Sequence, residues 1–426
     1  MGNVTAWVRA LGRVAALALV ASLVAQERPA GRPHSASERD KLFAGIDAMA
    51  KELAEITGLR LRQKLRYATI TRDEVKKFLE ERIRDEVKDE EIRAEELVLK
   101  KFGFAPADFN LKKTTIEMMT EQAAAFYDFR RKKLFMLDGA PSLLQEASLV
   151  HEVAHALADQ HFRLDRFIQG AREDDDASLA RMAVMEGQAT WLMSEFLARK
   201  MGQSLKTSPA LVEMMQKAAG GADGQFPVFD AAPLYLRESL IFPYAKGMAL
   251  QHAVYLKSGT AAFTEMFRRP PATTQQVLHA SHYFAPRRTV TPQLPEPPAR
   301  RGYRVLAEGS MGEFDHAVLI RQYQDAAQAD ALAPKWTGGL YRLWEHRKDK
   351  RAILTYGACW ESDGAARDFF AFYLGVLRAK WKRFDLDHED AGAAAGRGDD
   401  GRFRVELVSP PRGEPRCLTS IEGLPE

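Results

Sequence analysis

The amino-acid sequence predicts an α+β fold: a mainly helical domain holding a small sheet, followed by a smaller α+β domain. Three observations predict it. Apolar residues recur at helical spacing through most of residues 37–279. Inside that stretch, residues 122–138 read as a hairpin, with apolar flanks around a charged turn. Beyond a proline-rich segment, strand-like runs alternate with one amphipathic helix. A chain of 426 residues is also too long for one small core, so more than one domain is expected.

Composition is that of an ordinary globular protein, 46% hydrophobic and 28% charged with a net charge of +3. That charge excludes a strongly basic nucleic-acid binder, and no nucleic-acid partner is expected. Residues 1–25 read as a signal peptide: Arg9 and Arg13 precede an apolar stretch from Val14 to Ala25, which Gln26-Glu27-Arg28-Pro29 ends. The stretch is short for a membrane span. Leu23 is bulky for its place before the cleavage site, so an uncleaved N-terminal anchor is the alternative. The expected location is secreted or periplasmic. Cys359 and Cys417 are the only cysteines; they form one disulfide or stand as two buried thiols.

Residues 26–120 form an α+β preamble. A helix over 37–56 places Leu42, Ile46, Met49, Leu53 and Ile56 on one face. A strand is expected over 59–70. Thr71 and Glu74 form a capping box that opens a charged helix. Residues 121–285 form the central domain. Its hairpin leads into a helix from Ser142 to about Phe162. A second long helix follows over 177–200, capped by Asp174, Asp175 and Asp176. Shorter helices are expected around 209–218, 234–257, 260–268 and 273–279. Residues 286–300 are a proline-rich linker. Residues 301–426 form the last domain, with strands at 352–355, 403–407 and 417–421 and a helix near 364–380.

The chemistry rests on His151-Glu152-Val153-Ala154-His155. Residues four apart share a helix face, so His151 and His155 present both imidazoles to one metal ion. Glu152 sits on the adjacent edge, where it can take a proton from an attacking water and later pass it to a leaving group. Zn2+ suits this donor set. A catalytic site needs a third protein ligand. His161, six residues after His155, is one contender, but nothing before Asp159 ends the helix and such a spacing turns His161 to another face. Glu186 is favoured: a carboxylate in an otherwise apolar helix face needs a cation or a hydrogen-bonding partner.

His151-Glu152-x-x-His155 followed by Glu186-Gly187 resembles the gluzincin branch of zinc metallopeptidases. Asp159 matches an aspartate of the thermolysin-like motif, which implies support of a zinc ligand from outside the first shell. Thr190 departs from the aspartate that those enzymes often carry four residues after the glutamate. Tyr244-Ala245-Lys246-Gly247 resembles a segment of aminopeptidase-type gluzincins, which implies that Tyr244 stabilises the oxyanion. No Gly-x-Met-x-Asn segment is present to grip a free amino terminus. The hairpin around Phe126-Tyr127-Asp128 resembles the edge strand that aligns peptide in zincins.

Most of the mature chain is also similar to uncharacterised exported bacterial proteins. The shared segments include Asp159-Gln160-His161-Phe162, Phe242-Pro243-Tyr244, Pro270 to His279, Trp336 to Tyr341, and Trp360 with Ala365 to Phe370. The resemblance implies an exported zinc metallopeptidase acting on peptide or protein. The rival expectation is a zinc-binding, non-catalytic protein that recognises peptide or cell-wall material. His279, His282 and Tyr283 are further residues that can line a cleft or serve structure.

Overall fold

A computed structural model describes residues 43–138, 142–219, 226–298, 300–408 and 416–425. The predicted signal peptide and the start of the first helix lie outside the described residues. The fold is α+β, with a helical core and a separate antiparallel sheet in the C-terminal region.

Helix α1 (Ile46–Thr57) buries Ile46, Met49, Leu53 and Ile56. Strand β1 (Arg66–Ile70) is shorter than the run expected over 59–70. The backbone before it is claimed elsewhere. Arg62 N and Gln63 N donate to Gln160 Oε1 at 2.6 and 3.0 Å, and Gln160 Nε2 donates to Gln63 O at 3.0 Å. Helix α2 (Arg72–Glu86) carries the expected capping box between Thr71 and Glu74. Then come α3 (Asp89–Phe102), α4 (Leu111–Gln122), β2 (Ala125–Asp128) and β3 (Lys133–Leu137). Strand β3 is central: β1 pairs with it in parallel and β2 antiparallel. The hairpin therefore gains a third strand, and β2 lies at the sheet edge.

Three long helices form the centre: α5 (Ser142–Phe162), α7 (Asp175–Lys200) and α10 (Leu234–Ser258). Around them lie α6 (Leu164–Gln169), α8 (Pro209–Ala219), α9 (Pro227–Ala231), α11 (Ala262–Arg268), α12 (Thr274–Leu278) and α13 (Ala280–Phe284). Every residue of α7 from Met182 to Phe196 is buried, as befits a helix packed on all sides. It begins two residues earlier than expected, because Asp174 alone is the cap, accepting from Ala177 N at 3.0 Å. Asp175 and Asp176 lie in its first turn.

Residues 286–298 contain no helix or strand but lie against the C-terminal sheet. Val290 N donates to Thr337 O at 2.8 Å, and Pro292 and Leu294 cover Gly357. The C-terminal region comprises β4 (Tyr303–Ser310), α14 (Glu313–Tyr323), α15 (Ala326–Leu332), β5 (Trp336–His346) and β6 (Ala352–Trp360). It continues with α16 (Asp363–Lys380), β7 (Phe384–Glu389), β8 (Ala393–Gly398), β9 (Gly401–Val408) and β10 (Cys417–Leu424). The seven strands run in the order β4-β5-β6-β10-β9-β8-β7. Cys359 and Cys417 are paired directly across β6 and β10 and form a disulfide, with Cα atoms 4.0 Å apart. Helix α16 buries Phe369, Tyr373 and Leu377.

The helical and C-terminal regions are joined by apolar and polar contacts. One cluster of buried side chains runs from Ile46 to Leu418. Gln322 Nε2 and Tyr323 OH both donate to Gly103 O, at 2.6 and 2.9 Å, and Tyr235 OH donates to Asp315 Oδ1 at 2.7 Å.

Candidate metal centre

Leu149, Val150, Val153, Ala154 and Leu157 are all buried, so α5 turns apolar residues inward all round and carries His151 and His155 into the core with them. Helix α7 supplies Glu186. His151 Nε2 and His155 Nε2 each lie 3.1 Å from Glu186 Oε2. The two imidazoles are 4.6 Å apart and nearly perpendicular, at 81°. The three ligand atoms lie within 4.8 Å of one another, so this buried group can hold a metal ion. Two donors bound tetrahedrally at about 2.0–2.1 Å stand roughly 3.3 Å apart. The two separations of 3.1 Å between histidine and glutamate fit that spacing to within a few tenths of an ångström.

Electrostatics favours the same reading. Each of the three residues is at most 1% exposed. Burial drives the His151 imidazole down to about 4, with the neighbouring His155 adding to it and Glu186 opposing. It is therefore neutral near pH 7, with a lone pair for a metal. Burial alone would raise the Glu186 carboxyl, but His155 and His151 together hold it below its ordinary value. Its partners are these two histidines rather than an arginine. Among the described residues, His151 Nδ1, His155 Nδ1 and Glu186 Oε1 are buried without hydrogen-bond partners.

Two further predicted residues join the group. Glu152, fully buried, lies next to His151 on α5. Tyr244, on α10, stacks its ring on His151 with centroids 5.8 Å apart and 22° between the planes. His161 does not join it. Helix α5 continues unbroken past Ala158, and His161 Nε2 instead meets Arg60 O at 2.8 Å. Asp159 departs from the support expected of it. Its carboxylate accepts from Lys132 Nζ at 2.6 Å, Tyr127 OH at 3.1 Å and Leu164 N at 3.1 Å, tying the hairpin to the end of α5. With Thr190 in place of the aspartate, neither His151 nor His155 has an Nδ1 partner among the described residues. His279 and Tyr283 serve structure: His279 Nε2 pairs with Glu313 Oε1 at 2.7 Å, and Tyr283 OH donates to Arg269 O at 2.8 Å.

Sequence reasoning missed two features. Phe129, from the hairpin turn, meets the His155 ring edge-on at 6.3 Å. The other is how Glu186 and Tyr244 come together. A Cβ on Gly187 would lie 2.1 Å from the Gly247 carbonyl carbon, and one on Gly247 would lie 2.0 Å from Ala183 O. Helices α7 and α10 therefore touch backbone to backbone at these two glycines. Both stand in the segments noted for their chemistry, Glu186-Gly187 and Tyr244 to Gly247. Small residues at matching places in two long helices were the available signal.

No protein-family model, curated protein or solved structure matches the chain.

Proposed function

We propose that the protein is an exported zinc metallopeptidase of the gluzincin kind. The observation that carries this reading is the convergence of His151 Nε2, His155 Nε2 and Glu186 Oε2, with Glu152 beside the first of them. Two imidazoles and one carboxylate form the donor set of hydrolytic zinc sites, in which three protein ligands leave one position open. Bound there, zinc supplies Lewis acidity and brings the ionisation of water towards neutral pH.

The chain's own groups do the rest. Glu152 takes the proton of the attacking water and delivers it to the leaving amide nitrogen. The Tyr244 hydroxyl donates to the oxyanion that forms at the carbonyl. Among the described residues strand β2 pairs only with β3 and its residues are buried; its role as the peptide-aligning strand rests on the resemblance to zincins. Export rests on the pattern of residues 1–25, and the Cys359–Cys417 disulfide supports an oxidising compartment. The non-catalytic rival calls for a site closed by a fourth protein ligand; His161, the nearest contender, is turned to Arg60 O.

The test is proteolysis of an unfolded protein by residues 26–426, beside Glu152→Gln and a chelated sample. Wild type should cleave, Glu152→Gln should be slower by about 10²–10⁴, and zinc should restore the chelated enzyme. Equal cleavage by Glu152→Gln, or cleavage indifferent to chelation, would sink the proposal.

A further inference from the structure

A cavity of about 80 Å³ lies where the C-terminal region meets the helical core. Its apolar walls come from α3, α4, α7 and α10: Leu99, Met119, Leu179, Met182, Leu236 and Leu240 are among them. Met182 and Leu240 stand one helical turn before Glu186 and Tyr244 on α7 and α10, while the metal group itself does not line the cavity. The cavity runs towards the start of α7, where the lining becomes acidic. Asp175, Asp176, Asp315 and Glu95 all face it, and no lysine, arginine or histidine does.

Asp176 and Asp315 face a largely apolar hollow whose lining holds no cationic side chain. Asp176 is 4% exposed. Its Oδ1 accepts from Thr274 N at 3.0 Å and from the Thr274 hydroxyl at 2.5 Å, while its Oδ2 is buried with no partner among the described residues. The polar side chains nearby are donors already used. Tyr235 OH donates to Asp315 at 2.7 Å and Tyr341 OH to Asp175 at 3.1 Å. Burial first, and the neighbouring Asp315 second, push the Asp176 carboxyl well up; burial raises Asp315 to about 6. An entering cation relieves both effects.

We infer that this cavity is a binding site for an alkyl cation, a short apolar chain ending in ammonium or guanidinium, with Asp176 as the residue that selects the charge. The volume suits the size. It is several times the roughly 10–15 Å³ that a single water needs, enough for a short chain of a few heavy atoms. Because Ser310, Met311, Asp315 and Tyr341 come from the C-terminal region, that region completes the site.

The experiment is calorimetric titration of the mature chain with n-pentylammonium and with 1-pentanol at pH 8. Cleavage activity plays no part in this readout. The ammonium should bind about 10- to 100-fold tighter than the alcohol. Asp176→Asn should remove that preference and leave the alcohol's affinity unchanged. Leu236→Phe, which adds bulk to the cavity wall, should weaken both probes at least tenfold and serves if Asp176→Asn does not fold. No preference for the ammonium in wild type, or a preference that survives Asp176→Asn, overturns the inference. A peptide with a basic side chain competing with n-pentylammonium would identify the source as substrate; failure to compete would point to a free amine.

Discussion

Glutamine in place of Glu186 keeps the shape of the side chain and removes the charge that faces two buried imidazoles. Zinc affinity should fall by more than about 100-fold, since loss of a direct ligand outweighs the 10- to 100-fold typical of outer partners. His161→Ala, by contrast, should leave zinc affinity unchanged, because that ring is engaged with Arg60 O. Competition against a chromogenic chelator reads both, and a large loss in His161→Ala would return it to the ligand set. A second residue test concerns His316, which is fully buried. Its Nδ1 donates to Gly312 O at 2.7 Å and its Nε2 faces Tyr356 OH at 2.5 Å. Burial depresses its imidazole from 6.5 to about 4. Below pH 6.5 the unfolded chain takes up a proton that the folded chain refuses, so stability present at neutral pH is lost as pH falls towards 4. The amount is about 3 kcal/mol at pH 4. His316→Gln lacks this loss, so its deficit relative to wild type should shrink by that amount between pH 7 and pH 4 in urea unfolding. Parallel pH curves would rule it out.

At the level of elements, the metal group depends on a helix crossing as much as on its ligands. Gly187 and Gly247 bring α7 and α10 into backbone contact, which sets where Glu186 and Tyr244 sit. Gly187→Ala forces the two backbones apart, and overpacking of this kind costs about 1–3 kcal/mol. The expected outcome is a lowered melting temperature together with weakened zinc binding, while Gly375→Ala, whose added Cβ meets nothing within 4 Å, should leave zinc binding intact. Zinc affinity retained in a destabilised Gly187→Ala would show that the crossing does not position Glu186. Much of this layer was legible in the sequence. The helix that carries His151 and His155, the capping box at Thr71 and Glu74, and the hairpin all follow from periodicity and short-range capping chemistry. The fate of residues 59–65 was not legible. Their alternation looks strand-like, but Gln160 and His161, about a hundred residues later, capture the backbone of residues 60–63. Asp159 was misread for a related reason. Its spacing fits a familiar pattern, while Lys132 and Tyr127 are brought to it only by the tertiary fold.

Across the whole molecule, the sheet order is what local pattern could least reveal. The strand-like runs at 352–355, 403–407 and 417–421 were visible, but nothing local says that the last strand of the chain enters the middle of the sheet. There β10 joins β4-β5-β6 on one side to β9-β8-β7 on the other. The Cys359–Cys417 disulfide sits on that seam, joining residues 58 apart in sequence. Closing a loop of that length in the unfolded chain is worth about 4 kcal/mol by the chain-entropy account. Reduction therefore releases the cross-link between β6 and β10, and Asp315 and Tyr341 of the cavity lining belong to the same C-terminal region. The melting temperature should fall by roughly 5 °C when the disulfide is reduced, and Cys359→Ala with Cys417→Ala should reproduce the fall without reductant. A reduced protein that melts where the oxidised one does would mean that the ladder between β6 and β10 holds the seam unaided.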